Sequence, residues 1–335
     1  MVRLRTTSPD MPGWTRRRAG KGFVYLDTDR TRLSVEEAQR VRDLVIPPAW
    51  EDVWICPHSN GHLQAVGTDE AGRRQYLYHP DWRARRDLLK YERVMRLGRV
   101  LAEVRQRLLT DLADEDMTRE RASAIAVRLL DLGYFRIGND AYTDQHGSFG
   151  LTSLERRHVR REGDTLVFEF TGKSGVDHVI EIDDALVLAA IDLLRRRRSK
   201  TDDALLAYKD GRLWKRLEPS IVNDYVRRVT ALEVTAKDFR TWHATVVAAV
   251  ALADSEEAGD TRASRRRAIS AAVAEVSGYL GNTPTVARTS YIDPRVIELY
   301  EQGVTITPSA RRRQGDPDEL RAATERAVLR LLRSS

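Results

Sequence analysis

The sequence predicts an α+β fold: a small β-rich domain over residues 1–90, then a mostly α-helical domain over residues 91–335 that ends in a tail, residues 303–335. Three observations predict it. Short aromatic or β-branched runs set between turn residues recur through the first 90 positions. From about Asp81 the apolar period lengthens to that of a helix, and beyond residue 183 nearly every segment keeps it.

A chain of 335 residues is long enough for two domains, each with its own core. Hydrophobic residues make up 41% and charged residues 32%, the balance of a globular chain. The longest apolar-rich run, Ala244 to Ala253, is about half the roughly 20 residues that a membrane span needs. The first residues, MVRLRTTSPDMPGW, lack the apolar centre of a signal peptide. The single cysteine, Cys56, excludes an internal disulfide and fits a cytoplasmic setting. The net charge is +6, and residues 1–90 carry 16 basic against 12 acidic side chains, so most of the excess lies in the first quarter. A basic N-terminal part suits a phosphate-backbone partner, although an arginine-rich proteome produces the same balance.

In the first domain, strands are expected at Gly22–Leu26, Val53–Cys56, His62–Val66 and Gln75–Tyr78, the last two joined by the turn-like stretch from Gly67 to Gly72. One helix is expected after Ser34, an N-cap with Glu37 in the capping-box position, and Pro47-Pro48 stops it. Leu88, Leu89, Val94, Leu97, Leu101, Val104 and Leu108 then mark a long amphipathic helix. A second helix runs from Thr118 to a stop at Gly133. A hairpin follows, with strands Thr165–Thr171 and Asp177–Ile182 around the turn Gly172-Lys173-Ser174-Gly175. Helices are expected over 183–197, 218–232, 237–253, 263–280 and 293–302, then a basic linker from Gly303 to Pro317 and a helical pattern over 318–333.

Two spacings imitate ligand sites without completing them. Gly172-Lys173-Ser174 resembles the end of a phosphate-binding loop, but Val167 stands where that motif needs glycine, and its flanks read as strands where a helix N-terminus belongs. Cys56, His58 and His62 are spaced loosely like zinc ligands, but no second cluster completes a four-ligand site. No paired-carboxylate spacing stands out as a magnesium site. No cofactor or metal is therefore expected.

What remains is a scattered set of cations and one tyrosine. Arg136 follows a helix in a glycine-containing turn; Lys173 sits at a hairpin tip; Lys237 and Arg240 share one face at the start of a helix; Tyr291 comes nine residues after Asn282. Taken singly, each is more often an ordinary surface or core residue. Together they match the needs of phosphoryl transfer: charge on the non-bridging oxygens, an in-line nucleophile and a proton for the departing oxygen. Arginine suits the first task because its planar fork stays charged, lysine can act as the acid, and a cationic setting activates tyrosine.

These motifs resemble the type IB DNA topoisomerases, in particular the small poxvirus-like and bacterial members. The resemblance runs from Ile46-Pro-Pro-Ala-Trp50 to a little beyond Tyr291. It implies that Arg136 and Arg240 clamp the scissile phosphate, that Lys173 protonates the 5′ leaving oxygen, and that Tyr291 becomes a 3′-phosphotyrosine. Lys237 matches the family's Lys-x-x-Arg motif and assists the transfer. Gln75, Tyr76 and Tyr78 look like the N-terminal DNA-contacting segment, and Tyr142 like another duplex contact. Many relatives carry histidine where this chain has Asn282; an amide can donate a hydrogen bond there but brings no charge. The implied protein is a cytoplasmic, nucleoid-associated monomer with a β-rich cap and a helical catalytic domain closing as a bilobed clamp on double-stranded DNA. It relaxes positive and negative supercoils without ATP or metal, and has no membrane or small-molecule partner. Tyrosine recombinases share the Arg, Lys, Arg and Tyr chemistry, but usually carry His-x-x-Arg at the position of Lys237-x-x-Arg240 and commonly open with a helical domain. A non-catalytic basic DNA-binding protein is the alternative of another class. The arginine runs at 195–198, 265–267 and 311–313 read equally as backbone contacts or as solvated helix faces.

Overall fold

Five antiparallel strands build the sheet of the N-terminal unit: β1 (Trp14–Ala19), β2 (Gly22–Leu26), β3 (Glu51–Ile55), β4 (Leu63–Thr68) and β5 (Arg74–Tyr78), in the order β2-β1-β3-β4-β5. The computed structural model describes residues 3–138, 147–198, 203–255, 261–307 and 316–333, and the chain divides into two units, Met1–Lys90 and Tyr91–Ser335. In the first unit Trp14, Val41, Ile46, Val53, Ile55 and Ala65 form the core. Helix α1 (Val35–Asp43) contributes Val41 to it. Its N-terminus carries the expected reciprocal cap: the Glu37 N–H donates to Ser34 Oγ at 3.2 Å and the Ser34 N–H donates to Glu37 Oε2 at 3.0 Å, an arrangement worth about 1 kcal/mol. The helix ends before Pro47 is reached, because Val45 turns the chain with φ 51°.

Strand β1 was not expected, since Arg16-Arg17-Arg18 breaks any apolar alternation. Pairing with β2 and a single guanidinium hold it instead. Arg16 lies 4.1 Å over the Phe23 ring and donates to the carbonyls of Ile46, Pro47 and Trp50 at 3.2, 2.6 and 2.7 Å. Cys56 is buried with its thiol 3.4 Å from the His58 carbonyl. Among the described residues, no group of three or more His, Cys, Asp or Glu side chains is placed to hold a metal ion, and no helix is long and apolar enough to cross a membrane.

Helix α2 (Pro80–Leu112) passes from the first unit into the second, followed by α3 (Arg119–Gly133), then the sheet β6 (Val159–Glu162), β7 (Thr165–Thr171) and β8 (Asp177–Ile182) in the order β6-β7-β8. After α4 (Ala185–Arg196) a second hairpin, β9 (Ala207–Asp210) and β10 (Leu213–Arg216), precedes α5 (Pro219–Thr230), α6 (Ala236–Ala253), α7 (Arg262–Leu280), α8 (Pro284–Ser290), α9 (Pro294–Glu301) and α10 (Pro317–Arg333). The N-terminal region is thus a small antiparallel sheet and the C-terminal part is mostly helical, an α+β fold.

Three expectations need correction. Leu88 and Leu89 belong to the period of α2 but are about half exposed, at 53% and 51%, and the buried stripe starts at Tyr91. Gly133 does not provide the left-handed stop of α3; Tyr134 does, with φ 56°. Gly133 is needed for a different reason, since a Cβ there would lie 2.3 Å from the Phe135 ring. Strands β6, β9 and β10 and helix α8 were missed, because each is too short to establish a period.

The helices of the second unit meet around a buried ionic cluster. Arg105 of α2, 2% exposed, donates to Asp131 of α3 at 2.8 and 3.0 Å and to both oxygens of Glu325 of α10 at 2.8 Å. Trp242 Nε1 of α6 also donates to Glu325, at 3.1 Å, and His243 Nε2 lies 3.3 Å from Asp131. Burial by itself would raise the Asp131 carboxyl, but Arg105 and His243 outweigh it and hold it well below the usual carboxylate range. Burying charges is costly unless every one is paired. Glu325→Ala should therefore destabilise the helical unit by about 3–5 kcal/mol, measured as the shift of its urea transition. A shift under about 1 kcal/mol would mean that solvent or another side chain replaces the carboxylate.

Candidate active site

Arg136 emerges directly after the α3 cap. The Arg136 carbonyl accepts from the Leu151 N–H at 2.7 Å and the Ile137 carbonyl from the Thr152 N–H at 2.8 Å, so the segment is pinned to the loop before β6. Its guanidinium donates to the Gly281 carbonyl at 3.0 Å and to Asn282 Oδ1 at 2.6 Å. Because a guanidinium can only donate, this contact fixes which way the Asn282 amide points. The Asn282 Nδ2 donor is then left buried without a hydrogen-bond partner.

Arg240 lies one turn into α6 and is 4% exposed. It donates to the Tyr134 carbonyl, and at 2.7 Å to the Leu280 carbonyl, the last residue of α7. Two helix C-termini therefore place their unsatisfied carbonyls on one cation. Burial, and then the charge of Arg136, push the Arg240 guanidinium down to about 10, with Tyr291 opposing the shift. That is still far above neutral pH, so the group stays charged. The start of α6 is anchored by Asp238, which accepts from the Thr235 N–H at 2.9 Å and from Arg93 at 2.8 Å. Lys237, next to it, is exposed.

Tyr291 caps the C-terminus of α8, its N–H donating to the Ala287 carbonyl at 3.1 Å. The backbone beyond it is held from beneath: Tyr91 Oη donates to the Ile292 carbonyl at 2.8 Å, and Thr245 Oγ1 lies 3.4 Å from the Tyr291 carbonyl. The Arg240 guanidinium sits 5.5 Å from the centre of the Tyr291 ring, within the range where a cation and an aromatic face attract. Burial alone would raise the Tyr291 phenol. The charges of Arg240, Lys237 and Arg136, with a hydrogen bond from Arg240, outweigh it and bring the phenol below its ordinary value.

Lys173 stands at the exposed tip of the β7–β8 hairpin, in a single 3₁₀ turn with Ser174 at φ 66°. The glycine-lysine-serine run is thus a hairpin tip, with no helix N-terminus for a phosphate. One cleft of about 870 Å³ is lined by Arg136, Lys173, Lys237, Arg240, Asn282 and Tyr291 together, and no Asp or Glu is among the described residues that line it. A pocket with four cations, an amide donor, a phenol and no counter-charge is chemically a site for an anion.

The remaining sequence candidates lie elsewhere. Tyr76 and Tyr78 of β5 present one face, with rings 6.2 Å apart and nearly parallel, and Tyr76 is 47% exposed. Gln75 points to the other face, where its amide donates to Asp69 at 2.8 Å. Tyr142 lies outside the described residues. Arg197 is buried and donates to the carbonyls of Leu194 and Leu205, which removes it from any backbone contact. Residues 311–313 also lie outside the described residues. Two contributors escaped sequence reading. Tyr134 acts through its carbonyl, which no motif reveals. His178 did leave a signal: in β8 it shares the inward face with Ile180 and Ile182.

The lowered phenol gives a direct test. Phenolate absorbance of the intact chain minus that of Tyr291→Phe should titrate below the ordinary tyrosine value of about 10. Lys237→Gln, which removes an exposed charge, should move that midpoint up. A midpoint at or above about 10 in the unaltered chain would contradict the electrostatic reading.

Comparison with known families agrees with this geometry. Residues 79–310 match the family described as eukaryotic DNA topoisomerase I, catalytic core, and residues 22–69 match the bacterial DNA topoisomerase IB N-terminal domain. DNA topoisomerase 1B of Acanthamoeba polyphaga mimivirus is 26% identical over 299 residues, covering 87% of this chain and 88% of the viral protein. DNA topoisomerase 1B of vaccinia virus (strain Copenhagen) is 20% identical over 258 residues, 77% of each chain. DNA topoisomerase 1 of Schizosaccharomyces pombe is 29% identical over 160 residues, 47% of this chain and 18% of the yeast protein. With the core match spanning most of its length and the bacterial N-terminal domain in front of it, the chain belongs to the type IB DNA topoisomerase family.

Proposed function

We propose that the cleft holds one phosphodiester of duplex DNA and that Tyr291 attacks its phosphorus. The observation that carries this reading is the joint lining of one cleft by Arg136, Lys173, Lys237, Arg240, Asn282 and Tyr291, with no carboxylate among the described lining residues. The phenolate oxygen forms the new P–O bond and the bond to the 5′ oxygen breaks, which leaves a 3′-phosphotyrosine and a 5′-hydroxyl. Arg136 and Arg240 offset the charge that gathers on the non-bridging oxygens. The Asn282 Nδ2 donor serves the same oxygens, Lys237 keeps the phenol acidic, and Lys173 gives its proton to the 5′ oxygen. Religation is the reverse, with Lys173 taking that proton back.

Each step exchanges one phosphodiester for another of similar energy, so no ATP is required, and torsion in the DNA drives rotation while the strand is open. The cations of the chain supply the positive charge that a metal ion supplies in other phosphoryl transfers. One chain contains every group, so a monomer suffices. The face carrying Tyr76 and Tyr78 belongs to the DNA-contacting surface of the N-terminal unit, and the setting of the reaction is the cytoplasmic nucleoid.

A supercoiled plasmid without any recombination site, incubated with a chelator and no nucleotide, should relax to a ladder of topoisomers. Tyr291→Phe should abolish relaxation and adduct formation while DNA binding changes little. Relaxation by Tyr291→Phe would overturn the reading, and products formed only at a specific site would favour a recombinase. Asn282→His should retain cleavage within about a hundredfold, since imidazole can also accept from Arg136 and donate to an oxygen. A greater loss would show that the amide has a further task.

A further inference from the structure

His178 has no part in the chemistry above, yet its ring lies between two of the elements that carry it. An ideal Cβ on Gly172, the residue before Lys173, would lie 2.7 Å from the His178 Cδ2 and Nε2 atoms. One on Gly281, the residue before Asn282, would lie 2.3 Å from its Cε1. Real side chains do not approach so closely, so the imidazole fits only because neither residue has a Cβ; Gly281 is also the left-handed cap of α7, with φ 56°. The ring stacks on Phe170, its cross-strand partner, at 5.2 Å and 21°. Phe170 in turn stacks on Phe135 at 6.0 Å and 14°, and Phe135 precedes Arg136. The column Phe135, Phe170, His178 thus touches the neighbours of Arg136, Lys173 and Asn282.

We propose that His178 is a positioning residue: wedged between Gly172 and Gly281, it sets the separation of the Lys173 hairpin from the Asn282 turn and so aims Lys173 at the leaving oxygen. This rests on the reading of Lys173 as the general acid. Three hydrogen bonds within the hairpin shape the tip: the Gly172 N–H to the Val176 carbonyl at 2.7 Å, the Gly175 N–H to the Gly172 carbonyl at 3.2 Å, and Thr171 Oγ1 to Asp177 at 2.7 Å. They fix the shape of the tip; the Phe149 N–H also donates to the Thr171 carbonyl at 2.9 Å and ties one side of its base to the loop before β6, and ring packing against His178 braces the side that faces Gly281. Burial, and then Arg136 and Arg240, lower the affinity of His178 for a proton against the opposing pull of Asp177, so the wedge is a neutral ring. It lines a separate depression with Tyr134, Ile180 and Tyr279, so it acts through the hairpin and not on the phosphate.

The test compares single-turnover cleavage of a normal duplex with one whose scissile 5′ oxygen is replaced by sulfur. A thiolate leaves without a proton, so this substrate bypasses the general acid. His178→Ala should slow cleavage of the normal duplex by about 10- to 100-fold, with DNA affinity unchanged, and come within about threefold of the unaltered chain on the sulfur substrate. Gly172→Ala, which keeps the histidine but pushes the ring aside, should behave in the same way. His178→Phe, which keeps a flat neutral ring, should restore most of the normal rate. Lys173→Ala is the control. If sulfur rescues Lys173→Ala but neither His178→Ala nor Gly172→Ala, or if both of these cleave the normal duplex at full rate, the positioning role is wrong. If sulfur does not rescue Lys173→Ala, the general-acid reading fails first and the proposal falls with it.

Discussion

A buried guanidinium with no carboxylate bonded to it among the described residues is the constraint around which the second unit is organised. Arg240 is 4% exposed, and the carbonyls that hold it are backbone: those of Tyr134 and Leu280 at the ends of α3 and α7. Main-chain dipoles stabilise the cation without cancelling it, whereas an aspartate in the same place would neutralise the charge a phosphate needs. The same two helix ends then deliver the next residues to the cleft. Arg136 follows Tyr134 by two positions, and Asn282 follows Leu280 by two. Anchoring one side chain thereby places two others.

The arrangement carries its own repulsion. Burial weakens the hold of both Arg136 and Arg240 on a proton, Arg136 weakens that of Arg240 further, and both line one cleft with Lys237 and Lys173. A structure selected only for stability would place a carboxylate among them. The molecule does place carboxylates nearby, but one layer away: Asp131 and Glu325 neutralise Arg105 behind α6, and Asp238 pairs with Arg93 at its start. Among the described residues, negative charge supports the scaffold and is kept from the face of the cleft. Tyr291 benefits from that segregation, since the uncancelled cations lower its phenol despite burial.

Much of this was legible in the sequence where a signal is local. The hairpin Thr165–Thr171 and Asp177–Ile182 has the boundaries its alternation predicts, and the Ser34 and Glu37 cap forms as its spacing requires. The residues that line the cleft were also identifiable, because arginine, lysine and tyrosine in that order match a known reaction chemistry. What stayed hidden depends on distance along the chain. The Tyr134 carbonyl, the Glu325 carboxylate 220 positions from Arg105, and the Gly172 and Gly281 contacts to His178 exist only after folding. Gln75 shows what a motif does not convey: strand alternation turns it to the other face from Tyr76 and Tyr78, where it bonds Asp69.

All of this depends on one oxygen being the nucleophile. The adduct trapped on a nicked duplex, digested with protease and mapped by mass spectrometry, identifies that oxygen and the strand end it holds. The expected result is a single modified peptide containing Tyr291, linked to a 3′ phosphate. A link to any other residue, or to a 5′ phosphate, would contradict the assignment of the cleft as the place where DNA is cut and rejoined.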